Sequence, residues 1–228
     1  MSINLIKNLY YSKFISTILH NSLYWLRKEL KDCYSVLDLG CGYNSLLKYQ
    51  RLKFSVGVDY FMPYLLESKN KSIHNFYIRA DVKSVEFRPS SFDAVLLLNV
   101  LEHLKKEEAL KVLEKAFRIA KRKVILITPN GYLKQVSSKE NPLQEHQSGW
   151  QVKELLNLGF KPYGLAGFKF FRKDIHYEDR TQYIKMATST MRFKPALFWL
   201  LFAEATQIIA WLFPQYTFEV FYVKNKYA

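Results

Sequence analysis

The run VLDLGCGYNSLLK at positions 36–48 sets an acid, Asp38, two residues before the first of two glycines, Gly40 and Gly42. Residues without a Cβ let the chain turn tightly and let a ligand approach the backbone, so this is a loop built to hold a small molecule. A dinucleotide fingerprint requires a third glycine where this chain has Ser45; Asp59, at the end of the next apolar run, stands where a ribose-binding acid belongs. A nicotinamide cofactor is therefore a weak alternative. Asp38 is a poor neighbour for a pyrophosphate and a good one for a cationic ligand. Cys41, between the glycines, is expected to contribute packing and backbone contact, since no neighbour in sequence activates its thiol.

Two further groups could do chemistry. Glu102 and His103 offer an acid/base or metal pair, although adjacent residues of an α-helix do not share a face. His146 lies in the polar stretch NPLQEHQSGW at 141–150, four residues before Trp150. There it is either a general base or, with Ser148, a helix cap. Cys33 and Cys41 form neither a disulfide framework nor a metal-ligand spacing, and no metal is expected.

The elements that must position these residues follow from periodicity. Short apolar, β-branched or aromatic runs recur as YSVLDLG, FSVGVDY, NFYIRAD, FDAVLLLN and KVILITP. Helical patterns separate them, including 64–69 and 105–123, the second with acids first and bases last as the helix dipole favours. Strands alternating with helices predict an α/β fold, a doubly wound, mostly parallel sheet covered on both faces. In such a sheet the first strand-to-helix turn lies where ligands bind, and VLDLGCGYNSLLK is that turn. Ile3, Ile6, Tyr10, Phe14 and Ile18 fall at helical spacing, so 1–33 is predicted to be an amphipathic helical segment before the main domain, 34–228. That domain includes a basic and apolar helical insertion at 169–216 before the last strand-like run, TFEVFYVK.

Thirty-four Lys+Arg against 20 Asp+Glu give a net charge of +14, which draws nucleic acid, anionic lipid or acidic substrates without choosing among them. The bases are spread over several segments, and no appended RNA-binding motif is visible. Lys7, Asn8, Ser12 and Lys13 interrupt the N-terminus, which is unlike a signal peptide, and a cytoplasmic location is expected.

With these motifs in order, the chain resembles the class I S-adenosylmethionine-dependent methyltransferases, over roughly 34–168. D-L-G-C-G at 38–42 is similar to the family's first motif, with Asn44 where many members have a third glycine. The resemblance implies a Rossmann-like seven-strand sheet and S-adenosylmethionine as cofactor. It also implies cofactor contacts from Asp38, Gly40, Cys41, Gly42, Asp59, Tyr60, Asp81, Val82 and Asn99. The cofactor's methyl would go to an acceptor positioned near His103 and His146, the candidate catalytic residues, with Asn130 and Trp150 as candidate substrate contacts.

The fourth-strand motif reads N-V-L-E, not the N-P-P-[FY] associated with amide or adenine nitrogens. O-methylation of a small-molecule, glycan or lipid-linked acceptor is therefore expected, with RNA methylation or an inactive cofactor-binding module as the alternatives. The stretch 196–213 is nearly all apolar but carries Glu204 and Gln207. It is expected to lie on an anionic membrane surface, as a peripheral contact, or in a homodimer interface, and not to span a bilayer.

Overall fold

The computed structural model describes residues 9–135, 141–173 and 190–226. Ile3, Ile6 and most of the basic stretch that follows Arg172 lie outside them. Seven strands form one sheet: β1 (Ser35–Leu39), β2 (Phe54–Asp59), β3 (Phe76–Arg79), β4 (Phe92–Leu98), β5 (Ala120–Pro129), β6 (Lys161–Phe168) and β7 (Thr217–Asn225). Their spatial order is β3-β2-β1-β4-β5-β7-β6. All neighbours are parallel except β7, which runs antiparallel between β5 and β6. Strand order reverses between β1 and β4, so the loops after these two strands open side by side.

Every residue of β1 is buried, as a central strand covered on both faces requires. Side chains alternate between two cores. On one face Leu37, Leu97, Val124 and Leu126 meet α4 (Lys106–Ile119) and α5 (Val152–Asn157) through residues such as Val112, Ala116 and Leu155. On the other, Val36, Leu96, Ile125 and Phe221 meet α2 (Ser22–Leu30) through Trp25, Leu26 and Leu30. Trp25 stacks on Tyr163 of β6 with ring centroids 3.7 Å apart. α3 (Met62–Asn70) follows β2.

Two expected boundaries move. The single N-terminal helix is two, α1 (Lys13–Leu19) and α2, broken where His20 takes a left-handed conformation and the Asn21 side chain accepts from the Leu23 and Tyr24 N–H groups. The helix expected to run to Lys123 ends at Ile119, because strand pairing of β5 with β4 already begins at Ala120.

The insertion contains α6 (Ala196–Ala210), whose orientation is inverted relative to an ordinary surface helix. Its polar residues face the sheet. Gln207, fully buried, accepts from Gly167 N–H at 2.8 Å and donates to the Gly164 carbonyl at 2.8 Å, while Glu204 pairs with Arg172 at 2.6 Å. Its apolar residues face outward, with Leu201 64% and Phe198 57% exposed. The helix sits this close because β6 carries glycines beneath it. A Cβ at Gly167, where φ is +67°, would lie 2.0 Å from the Ala203 carbonyl oxygen. Strained φ and overpacking each cost about 1–3 kcal/mol, so Gly167→Ala is expected to lose about 2 kcal/mol or more. That lowers Tm by about 4–8 °C for a chain of this size. Unchanged thermal melting would show that α6 is not seated on β6 as described.

Candidate active site

The loop after β1 is fastened from two sides. Gly40 and Cys41 donate their N–H groups to the Val58 carbonyl at 2.8 and 2.9 Å. Gly40 adopts φ +70°, and a Cβ there would lie 2.6 Å from Val100 Cγ2, so the loops after β1 and β4 touch across the absent side chain. Asp59, at the end of β2, accepts from Gly42 N–H at 2.8 Å through Oδ2 and from Phe61 N–H at 2.9 Å through Oδ1. Burial raises its pKa, and the two backbone N–H groups oppose the rise.

Asp38, expected to favour a cationic ligand, is enclosed by protein. Its carboxylate is buried, accepts from Ser45 Oγ at 2.6 Å and lies 3.6 Å from His74 Nε2. Burial pushes the Asp38 carboxyl up to about 7 and the His74 imidazole down to about 4. Low-dielectric surroundings disfavour charge on both groups, so Asp38 fastens the glycine loop through Ser45 more than it draws cations. Asn44, at the variable glycine position, accepts from Lys48 Nζ at 2.7 Å.

A cleft of about 380 Å³ opens along this edge, lined by Asp38, Gly40, Cys41, Gly42, Asp59 and Asn99 on one side. A cavity of about 530 Å³ adjoins it, shares Gly40, Asp59 and Asn99, and adds Tyr60, Asp81 and Val82. All nine residues expected at the cofactor therefore line the cleft or the cavity that adjoins it. Asp81 also caps its own turn, accepting from Lys83 N–H at 2.8 Å. The Cys41 thiol is buried and its pKa is raised by that burial, as a packing residue's would be.

Asn99 ends β4 at φ +56°, a left-handed conformation that Asn tolerates better than most residues. It turns the chain into a 3₁₀ turn, Leu101–His103. Glu102 and His103 therefore sit on a short 3₁₀ turn and not on an α-helix. Both line the cleft, and His146 joins them from the other side. The His103 and His146 rings meet edge to face at 4.8 Å between centroids. His146 is buried, with Nδ1 2.6 Å from the Leu133 carbonyl; burial lowers its pKa, against that hydrogen bond. It caps no helix: α5 begins at Val152, and the Ser148 hydroxyl donates to the Leu101 carbonyl. Burial pushes the Glu102 carboxyl up to about 8.

The side chains of Asn130 and Trp150, expected at the substrate, are engaged with the protein itself. The Asn130 amide donates to the Pro214, Gln215 and Thr217 carbonyls at 2.9–3.2 Å, anchoring the start of β7. Trp150 is 2% exposed and belongs to the core, bridged to Asn130 and Gly131. Neither lines the cleft. Glu219, which does, was missed. The available signal was an acid within the apolar strand run TFEVFYVK; burial raises its pKa while Arg172 opposes the rise.

Comparison with known proteins bears on the domain and the fold. Residues 37–128 match the family described as the methyltransferase domain. The (S)-coclaurine N-methyltransferase of Thalictrum flavum subsp. glaucum is 31% identical over 98 residues, 39% of this chain. The match spans only 27% of that protein's length, about a quarter of the curated relative. Among solved structures, the methyltransferase domain of bacterial CtHen1-CN superposes with TM-score 0.55 at 15% identity, covering 91% of this chain and 99% of the other. A SAM dependent methyltransferase from Archaeoglobus fulgidus gives TM-score 0.52 at 16% identity, covering 95% and 99%. At such identities these likenesses concern the fold. The methyltransferase-domain match begins inside β1 and ends inside β5, on a Rossmann-like sheet ordered 3-2-1-4-5-7-6 with its last strand reversed, so the chain is similar to a methyltransferase domain over the part that carries the glycine loop.

Proposed function

We propose that this chain is an S-adenosylmethionine-dependent methyltransferase acting on a hydroxyl of a small-molecule, glycan or lipid-linked acceptor. The observation that carries the reading is the convergence of the glycine loop, Asp59 and Asp81 on one depression beside Asn99, Glu102, His103 and His146. The residues fit the cofactor. A Cβ at Gly42 would meet nothing within 4 Å, so the loop presents open backbone to a ligand. Asp59, with each oxygen already accepting one N–H group, retains acceptor capacity for ribose hydroxyls, since a carboxylate offers about four lone-pair sites. Tyr60 and Val82 flank the adjoining cavity, where the adenine would lie beside Asp81. S-adenosylmethionine, when bound, supplies an electrophilic methyl group on a sulfonium centre.

The protein's remaining task is to position the acceptor and dispose of its proton. A carbonyl oxygen only accepts, so His146 Nδ1 must carry the proton it gives to Leu133, which leaves the lone pair on Nε2. His146→Ala is expected to retain cofactor affinity while turnover falls about 10²- to 10⁴-fold, the usual contribution of proton handling. Unchanged turnover would remove His146 from the chemistry. RNA is the second acceptor reading, favoured by the net charge of +14 and by Lys105, Lys106 and Lys153 around a depression beside the cleft. Incubation with methyl-tritiated cofactor tests both readings, with lipid extracts, hydroxylated small molecules and RNA as separate acceptors. Label in extractable lipid or small molecule supports the first, label in RNA replaces it with the second, and cofactor binding without label in any fraction indicates an inactive binder.

The lipid-linked acceptor draws support from α6. Its outward face carries Leu197, Phe198, Leu201, Phe202, Ile208 and Ile209, all exposed. α1 packs beside it and exposes Phe14, at 73%, and Ile18, while Tyr10, ahead of α1, donates its hydroxyl to Glu204. Arg192 and Lys194 precede α6. An exposed apolar face with basic flanks suits an anionic bilayer surface, and peripheral attachment to a cytoplasmic membrane face is part of the proposal.

A further inference from the structure

We infer that Glu102, His103 and His146 together bind one divalent transition-metal ion at the acceptor end of the cleft. Among the described residues these three each offer a ligand atom, and the three atoms lie within 4.8 Å of one another. Ligands sharing such an ion at bond lengths of about 2.0–2.2 Å lie roughly 3–4 Å apart, so small side-chain rotations close the set. Three independent features prepare it.

The first is the histidine tautomers. His146 Nδ1 lies 2.6 Å from the Leu133 carbonyl and His103 Nδ1 lies 3.2 Å from the Glu145 carbonyl. Because a carbonyl cannot donate, each Nδ1 carries the hydrogen and each neutral ring keeps its lone pair on Nε2. A ligating histidine whose other nitrogen is anchored to a backbone carbonyl is the usual outer-shell arrangement at metal sites.

The second is an orphaned acceptor. Glu102 Oε2 is buried with no hydrogen-bond partner, a costly state that an adjacent cation relieves. The Glu102 backbone is held firmly, its carbonyl accepting from Gln147 and Ser148 N–H at 2.8 and 3.1 Å, which ties the 141–150 stretch to the 3₁₀ turn.

The third is charge and ligand type. Glu219 lines the same cleft as a second, half-buried acid, so a cation there is not opposed. Two imidazoles and one carboxylate with an open side suit zinc, manganese, iron or cobalt better than calcium or magnesium, which prefer all-oxygen sets. The open side faces the cleft, where the ion would polarise an acceptor hydroxyl and lower its pKa, the proton passing to water. The proton-handling role of His146 then passes to the ion that it helps to hold, and the loss expected on His146→Ala stands because that substitution removes a ligand.

This deepens the methyl-transfer reading and rests on it for the ion's role, but binding can be tested without it. Chelator-stripped protein is titrated with Co²⁺ and followed by visible d–d absorption, with metal content measured after gel filtration. One ion per chain is expected, with a spectrum unlike that of the hexaaquo ion. Glu102→Gln, nearly isosteric, and His103→Ala should each weaken binding at least about 100-fold, since even outer-shell changes cost 10- to 100-fold. Calorimetry with S-adenosylhomocysteine, whose site is formed by other residues, shows that each variant is folded. An aquo-like spectrum, or Co²⁺ binding that both variants leave intact, overturns the site. Co²⁺ bound as described but no heat with the adenosyl compound leaves the site standing and overturns the methyltransferase reading.

Discussion

Asp59→Ala is expected to weaken S-adenosylmethionine and S-adenosylhomocysteine binding by roughly 10- to 150-fold. The figure follows from losing hydrogen bonds to a charged acceptor, worth about 1.5–3 kcal/mol, converted at about 1.4 kcal/mol per tenfold. The geometry makes this a lower bound. Asp59 is also the acceptor for Gly42 N–H and Phe61 N–H, so alanine releases the glycine loop and the chain after β2 at the same time. Asp59→Asn separates the two effects in part. An amide has one acceptor oxygen for two backbone donors, so one of them meets an NH₂ group, and affinity should fall nearly as far. Asp81→Ala should cost less, because Asp81 anchors only its own turn through Lys83. Calorimetry with both adenosyl compounds reads all three variants. Heat with NADH and none with either adenosyl compound would overturn the cofactor reading altogether.

What was legible in the sequence was what neighbouring residues determine. An apolar run ending in an acid followed by two glycines encodes a strand and the turn after it, so the positions of Asp38, Gly40, Asp59 and Asp81 along one sheet edge could be read without knowing what covers the sheet. The order β5-β7-β6 could not, because it depends on pairing across more than ninety positions, such as Leu126 with Tyr222. Site details failed for the same reason. Trp150 beside a histidine resembles a substrate platform until its bridge to Asn130 and Gly131 places it in the core. Asp38 reads as a partner for a cationic ligand until Ser45 and His74 enclose it. His103 and His146 were expected together at the acceptor; that Glu102 joins them depends on the turn that Asn99 sets at the end of β4, which no local pattern announces. The inversion of α6 is non-local as well. Glu204 and Gln207 look like blemishes on an apolar helix until Arg172 and the backbone of β6 are seen to satisfy them.

That inversion carries the second large expected effect: the chain should float with anionic liposomes, and Leu201→Asp with Ile209→Asp should abolish flotation. Spanning is not the mode of attachment. No helix among the described residues is long and apolar enough to cross a membrane. β7, directly after the insertion, pairs with both β5 and β6, so a single crossing at α6 would separate it from its partners. Lying flat, α6 would present its outward face to the acyl boundary while Glu204 and Gln207 remain bonded to protein. An acid at mid-membrane costs roughly 2.5–3.5 kcal/mol, and this orientation avoids that cost. Juxtamembrane bases add about 1 kcal/mol each near an anionic surface, so Arg192→Gln with Lys194→Gln should reduce binding to anionic vesicles while leaving binding to neutral ones unchanged. Leu201 and Ile209 are 64% and 53% exposed, so aspartate there leaves the core intact, and retained binding of S-adenosylhomocysteine verifies it. A soluble dimer that the same aspartates dissociate, with no flotation on either vesicle type, would assign the face to a second copy of the chain and remove the lipid-linked acceptor from first place.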